Sequence, residues 1–546
     1  VRAGEGLVNA NRLRAPAEDG GVVASPDLSQ ALELAESNQR LLDRLVLPGI
    51  TRAEIRQEVL AASAQYHRAA QESLPASGAA GPIFMAGHQP ELSHPGVWIK
   101  NYAMAGLTSR AGGTALNLIV DTDVPKTNTI RVPVGSADPK EAIVRVPFDA
   151  HAPDVPFEER QVHDQTLWKQ FPESIAARSR AWPFRAIFSD FWSEVTAASQ
   201  RTPLLGERLA RARRSWERSW GCHNLELPQS AVCRTRAFAS FFCHIVRRAG
   251  AFRNAHNASL AQYRKANGIR DPGRPVPDLA ADADWLELPF WIWETSKSKR
   301  RRLLVRVAGN GSIALKMGQG PVVAEIPNAA DCNHEAFREL EARGVKIRTR
   351  ALMTTMFARL FLCDLFIHGL GGAMYDEITD DIIRQFLRIE PPRFIVLSGS
   401  LRLPFRCSPG DVAEARRLRR LSRDLRWNPD RHLARAANDE MARGLTKEKA
   451  QWISFEAEGP AQRRDRFRHL RHLNGLMQPF VSDEAACIGQ ELALCERQVE
   501  FERALCDRDF AFCLYPESKL RPFCQRFLHR DFMPLSHDAG CLVTPA

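Results

Sequence analysis

Lysine and tyrosine are scarce in this sequence. Among 546 residues there are 12 Lys and 5 Tyr against 63 Arg, so the net charge of +11 rests almost wholly on arginine. That imbalance reads as coding bias rather than as a recognition device. Because Asp and Glu are interspersed with the Arg, nucleic acid is not the expected partner. No CxxC pair occurs among the 12 Cys. The set Cys513, Cys524, His529, His537 and Cys541 fits no ribbon or finger spacing, so no zinc is expected, nor haem or flavin. Residues 1–10 lack the apolar core of a secretory leader, and the thiols are therefore expected to be reduced and mostly buried, in the cytoplasm. No charge-free apolar run of ~20 residues is present. The most apolar stretch, 353–372, carries Arg359, Asp364 and His368 and predicts a buried helix, with no membrane partner. The patterns GxxxxGK[ST], GxGxxG after a strand, and GxSxG are all missing, which excludes a P-loop, a dinucleotide fingerprint and a hydrolase nucleophile elbow.

What is present is ordinary globular composition, 44% apolar and 25% charged, in a length suited to three or four domains. Helices are predicted over 27–73, with Asp27 and Thr51 as caps and Thr51-Arg-Ala-Glu54 as a capping box. Residues 75–82 read as a flexible linker. Short apolar strands at 83–86, 115–120, 129–134 and 142–148, with a helix at 97–110, form the alternation expected of a parallel sheet with crossovers. Residues 155–270 read as helical. Strands return at 302–307, 312–316 and 394–397, with helices at 333–343, 354–368 and 376–387. Phe290 to Trp293, followed by the basic run 297–302, reads as a strand entering a solvated hairpin tip. Beyond 409 only long charged helices are expected, which suggests a helical hairpin or coiled-coil arm.

Three segments carry chemistry. The first runs from Gly87 through His88, Gln89, His94, Pro95 and Gly96 to Lys100 and Asn101. A strand ends, a loop supplies two histidines, and Pro95 occupies the first turn of a helix whose free N–H groups suit phosphate. His88 and His94 would offset charge on a transferring phosphoryl group, and Lys100 would reach the same region. The second is Asp121 and Asp123 at the end of the next strand, where ligands of parallel sheets bind, with Lys126 close behind. Two carboxylates there suit Mg²⁺ or a substrate hydroxyl or amine. The third is His368 to Asp376, in which Gly371 and Gly372 permit a tight turn before a helix starting near Asp376.

These segments, in this order, resemble the bacillithiol-biosynthesis cysteine-adding enzyme family (BshC). GHQPELSHPG at 87–96 resembles that family's GQQ-x-GLFTGP loop. Asp121 and Asp123 stand where it has an acidic cluster. FRNAHNASLAQYR at 252–264 is similar to its F-x-x-x-Y-N-x-x-L-x-x-YR segment, and LPFW at 288–291 to its VPFW strand. The stretch from Asp364 to Gly371, Gly372 and Tyr375 is similar to its YVGGPGE region, and LYPESKL at 514–520 to its closing segment. The first loop is also similar to the HxGH loop of the nucleotidyltransferase-like superfamily and to the opening of WbqC-like proteins. His88 and His94 replace a Gln and a Thr of the family loop, Gly-Pro-Gly-Glu is missing after Gly372, and Asp376 is the candidate for the lost acidic role.

The resemblance spans roughly residues 80–525. It implies an α/β fold with a Rossmann-like, nucleotidyltransferase-like parallel core, a helical insertion and a C-terminal helical hairpin or coiled coil. The expected divisions are a helical segment at 1–78, core at 79–154, insertion at 155–280, core again at 281–408, and the arm at 409–546. The implied activity is a ligase or transferase joining an amine or cysteine-like thiol to a small metabolite. ATP or ADP with Mg is the implied cofactor, and a homodimer through the C-terminal helices is the implied assembly. On this reading His88, His94, Asp121 and Asp123 are catalytic. Gly87, Gln89, Pro95, Gly96, Lys100, Asn101, Lys126, Gly371, Gly372, Tyr375 and Asp376 bind substrate or nucleotide. The alternatives are an inactive dimeric scaffold and a basic nucleic-acid-binding protein.

Overall fold

Local signals start the first helices where the sequence places them. Asp27 accepts from the Ser29 N–H ahead of Ala31–Leu42, and Thr51 with Glu54 forms the reciprocal capping box that opens Arg52–Ala69. The computed structural model describes residues 13–529 except 46, 48, 76–80, 135–141, 152–153, 296–298, 327–332, 406–409 and 437–438. Most of the expected linker at 75–82 thus lies outside the described residues, as do His537 and Cys541.

The protein is mixed α/β. Its central sheet has six strands in the order Val22–Ser25, Phe394–Gly399, Leu365–His368, Ile83–His88, Thr114–Ile119, Leu225–Pro228. The last five are parallel, and Val22–Ser25 pairs antiparallel with Phe394–Gly399. From Ile83–His88 the chain builds outward in one direction through Thr114–Ile119 and Leu225–Pro228. It then returns to the other side of Ile83–His88 with Leu365–His368 and Phe394–Gly399. The direction of winding therefore reverses between Ile83–His88 and Leu365–His368.

Several expectations are corrected here. The stretch 353–372 is not one helix. Ala351–Phe357 runs into a wider turn at Ala358–Leu362, and Leu365–His368 is a central strand. A strand covered on both faces has no polar alternation, so its sequence looks like buried helix. The helical segment at 1–78 and the helical insertion each give a four-residue strand to the sheet, Val22–Ser25 and Leu225–Pro228. Thr129–Pro133 and Ile143–Pro147 pair with each other as an antiparallel ribbon instead of joining the core. Residues 281–349 form a second sheet, also antiparallel: Val322–Ile326, Ile313–Met317, Arg301–Val307, Trp285–Glu294 and Val345–Thr349, with Ala281–Asp282 beside Trp285–Glu294. The second half of the chain is thus not parallel core throughout. Cys222, Cys233, Cys363, Cys513 and Cys524 are free buried thiols, but Cys243 and Cys506 each take part in a disulfide, contrary to the expectation that the thiols are reduced. Scattered cysteines give no sign in sequence of which ones the fold brings together.

Past 409 every described element is helical. Gly410–Trp427 packs against a 46-residue helix, Pro460–Leu505, which runs on through Pro479. Among the described residues no helix is long and apolar enough to cross a membrane. After the arm the chain returns to the body. Phe510, Phe512, Leu514 and Tyr515 are buried there, and Trp98 stacks on Phe512 with ring centroids 4.3 Å apart. Burying an aromatic of that size contributes ~1.5–3 kcal/mol, so this short return segment ties the arm firmly to the core.

Candidate functional site

Ligands of parallel sheets bind outside the carboxyl ends of the strands where the winding reverses. In this protein that place lies between the ends of Ile83–His88 and Leu365–His368. Each strand finishes on a histidine, and each is followed by a helix whose N-terminus faces the crevice, Pro95–Ala111 and Leu370–Ile382.

Helix Pro95–Ala111 is apolar on nearly every side because it sits between the sheet and the C-terminal return segment. Two glycines make the fit. A Cβ at Gly96 would collide with the Gly399 carbonyl, and one at Gly106 with the Phe527 carbonyl. Gly96, expected to bind substrate or nucleotide, is therefore closed off by a strand end. His94 is the N-cap, and its Nδ1 accepts from the Gly96 N–H at 3.1 Å. The helix start expected to offer free N–H groups to an anion has one of them occupied by His94 itself.

Those contacts fix the histidine tautomers. His88 Nδ1 lies 2.9 Å from the Gln89 carbonyl oxygen, so in the neutral ring Nδ1 carries the hydrogen and Nε2 is an open acceptor. His94 is the reverse: Nδ1 accepts, so Nε2 carries the hydrogen, 3.8 Å from Asp509 Oδ1. Burial, then the Lys100 charge, pushes His88 down to about 3, with Lys126 and His94 adding to it. Burial, then Arg508, pushes His94 down to about 4, against the pull of Asp509. At neutral pH the crevice therefore holds two neutral imidazoles, one with Nε2 open as a hydrogen-bond acceptor and one whose Nε2–H can donate.

Lys100 is 4% exposed, and its Nζ donates to the Gly87 carbonyl at 3.2 Å. Burial brings its pKa down to about 8. Burial lowers His368 against the upward pull of Asp376, with Arg359 and then Lys100 adding to the lowering. His368 Nε2 stands 2.7 Å from Asp376 Oδ2, and Arg359 holds the same carboxylate at 2.9 Å. Burial would raise Asp376, but His368 and Arg359 hold it well below the usual carboxylate range. Arg359 also pairs with Asp380 at 2.7 Å, which burial raises to about 6. At the far side Arg508 donates to the Gly399 carbonyl at 3.1 Å and to Ser400 Oγ at 3.2 Å.

The strand-end acids take separate roles. Burial, then Glu158, raises Asp121 to about 7, and its carboxyl accepts from the Ser230 N–H at 2.8 Å and from the Ser230 hydroxyl. Asp123 accepts from Gln89 Nε2 at 2.9 Å and from Arg300 at 2.9 Å. The two carboxyls thus serve different partners and do not fit a magnesium ion between them. Among the described residues no three His, Cys, Asp or Glu side chains form a metal-ligating group.

Of the residues singled out from sequence, the fold brings Gly87, His88, Gln89, His94, Lys100 and Asp376 to one crevice. Lys126 is exposed at its rim, where its N–H donates to Glu91 at 3.3 Å. Pro95 and Gly96 are buried packing positions. Asn101 faces away and donates to Glu217 at 2.7 Å, inside a buried network with Arg213, Arg214 and Glu226. Gly371 and Gly372 lie in the first turn of Leu370–Ile382, six residues ahead of the start expected at Asp376, and Tyr375 is 38% exposed. A Cβ at Gly372 would lie 3.0 Å from His368 Nδ1, so that glycine clears room for the imidazole instead of making a turn. Sequence reasoning left His368, Arg359, Arg508 and Arg300 out of the site. Reading Leu365–Ile367 as a strand would have placed His368 at a strand end. Nothing in the sequence ties Arg508 to a strand more than a hundred residues earlier.

No family model and no curated protein matches this chain.

Proposed function

We propose that the chain is a ligase or transferase of the BshC-like kind, with a Rossmann-like core, which joins an amine or a cysteine-like thiol to a small metabolite activated through a nucleotide. The observation that carries this reading is that both strands flanking the reversal of winding end on a neutral histidine, with the buried Lys100 acting on both.

The residues divide the work. His88 Nε2 accepts a hydrogen bond from the N–H or S–H of the nucleophile and orients it, and that proton passes to the departing phosphate as the new bond to the substrate carbon forms. The bond from that carbon to the departing phosphate oxygen breaks, and the electron pair leaves on that oxygen. The Lys100 ammonium and the His94 Nε2–H take up the charge that builds there. His368, oriented by Asp376, supports the opposite wall. Because Asp121 and Asp123 do not fit magnesium between them, no step is assigned to a metal. The arm pairs two copies in this reading, supported by the exposed apolar side chains Phe467, Leu476 and Leu494 on its long helix.

The test is calorimetric titration of ATP and of ADP, each with Mg²⁺, onto the full chain, followed by His88→Ala and Lys100→Ala. Saturable binding that either variant weakens at least tenfold supports the reading. Absence of heat with both nucleotides, or turnover undiminished in His88→Ala once a substrate is found, removes it.

A further inference from the structure

The basic run after Trp293 is solvated as expected where it is described: Lys299, Arg301 and Arg302 are exposed, and residues 296–298 lie outside the described residues. The run lines a cavity of about 750 Å³, within the ~300–1,000 Å³ typical of small-molecule sites. Lys299, Arg300, Arg301 and Arg302 form its cationic wall, and Trp291 and the turn Gly318 to Pro321 close it. Glu294 is the one acidic side chain among the lining residues.

The carboxylates that pair with this wall are shared or peripheral. Lys299 pairs with Asp154 at 2.8 Å, both being about half exposed. Arg302 reaches Glu287 at 3.2 Å, but Glu287 also holds Arg350 at 2.7 Å. Arg300 pairs with Asp123, which also accepts from Gln89. The Arg301 side chain makes no ion pair or hydrogen bond among the described residues. The Trp291 ring is already occupied: the Arg300 guanidinium lies 4.8 Å and that of Arg350 4.9 Å from its centroid. The ring therefore braces the cations and does not stack on a ligand.

We propose that this cavity is a second binding site, for a small anion bearing at least two negative oxygens, phosphate or carboxylate, held chiefly by Arg301 and Arg302. Planar guanidiniums suit such groups because they donate two parallel hydrogen bonds. Arg300 links this site to the crevice. Its partner Asp123 accepts from Gln89, the residue after His88, through its other carboxylate oxygen, so an anion that draws Arg300 away leaves that carboxylate without its cation and changes the charge beside Gln89. The site stands beyond the catalytic reading above and does not depend on it.

Inorganic pyrophosphate and citrate are the probes, titrated separately onto the full chain at low ionic strength. The expected result is saturable binding of at least one of them. Arg301→Ala and Arg302→Ala should each weaken it about tenfold, the loss of one charged hydrogen-bonding group, and Lys100→Ala should leave it unchanged. Preference for pyrophosphate marks a phosphate ligand, and preference for citrate a carboxylate one. Binding of neither probe overturns the proposal. So does binding that survives in the Arg301→Ala, Arg302→Ala double variant, or binding lost in Lys100→Ala alone, which would put the anion in the crevice. Thermal melting of each variant in the absence of anion separates lost binding from lost folding.

Discussion

The Lys100 ammonium donates to the Gly87 carbonyl at 3.2 Å, and no carboxylate pairs with it among the described residues. A buried cation held by one neutral acceptor is costly to the fold, and the cost shows as a pKa brought down to about 8.

Lys100→Met should therefore stabilise the protein, by about 1–2 kcal/mol, while removing anion binding in the crevice. Urea unfolding and nucleotide titration on the same preparation check both halves. A variant less stable than the wild type would show that the ammonium holds the helix to the strand.

The same lysine sets an alkaline limit. Its charge is lost as pH rises through about 8, so nucleotide affinity should fall above that pH. Lys100→Arg should carry the fall beyond the accessible range, because guanidinium does not lose its proton there. Affinity that stays flat from pH 7 to 9 in the wild type would contradict this.

His88 works in the acid range. Its folded value of about 3 lies below the ordinary ~6.5, so between the two the unfolded chain binds more protons than the folded one. Its contribution to stability is therefore full above about pH 6.5 and is lost progressively as pH falls towards 3. His88→Gln should lose less stability than the wild type between neutral pH and about pH 4.5, as read from urea midpoints. Equal losses would mean that the ring is solvated.

Gly96→Ala should destabilise by about 1–3 kcal/mol, because its methyl meets the Gly399 carbonyl and the helix start must move. Gly371→Ala, at a position with open space around it in the next helix start, is the control and should be close to neutral. Chemical denaturation of the pair checks the contrast.

Asp376→Asn should cost about 2 kcal/mol or more, since Arg359 and His368 both lose a charged partner. It should also remove the upward pull on His368, lowering that imidazole further. Histidine NMR titration reads the second effect independently of the first.

How much of this was legible in sequence follows from what each signal measures. Thr51 with Glu54, and Pro95 after His94, are local hydrogen-bond chemistry, and the helices start there. The strand ending at His88 carries its own boundary in Gly87 and the polar loop behind it. Leu365–His368 was missed because apolar residues buried on both faces have no period to read. Val22–Ser25 and Leu225–Pro228 are four residues long and are strands only because a neighbour pairs with them. Asp121 and Asp123 looked alike beside one strand end. Their difference comes from Ser230 and Arg300, about a hundred and nearly two hundred residues away in the sequence.

The arm leaves the body just after Phe394–Gly399, and the chain comes back at Arg508, which hydrogen-bonds the end of that same strand. What lies between is topologically an excursion from one point: among its described residues there is no strand of either sheet. The long helix alone extends about 70 Å at 1.5 Å per residue, yet exit and return are pinned within one residue's reach. A short bridge across that base would leave the connectivity of the central sheet unchanged, because closing a loop costs little extra for its length. The arm is therefore free to vary in length without altering the register of the strands that carry His88 and His368.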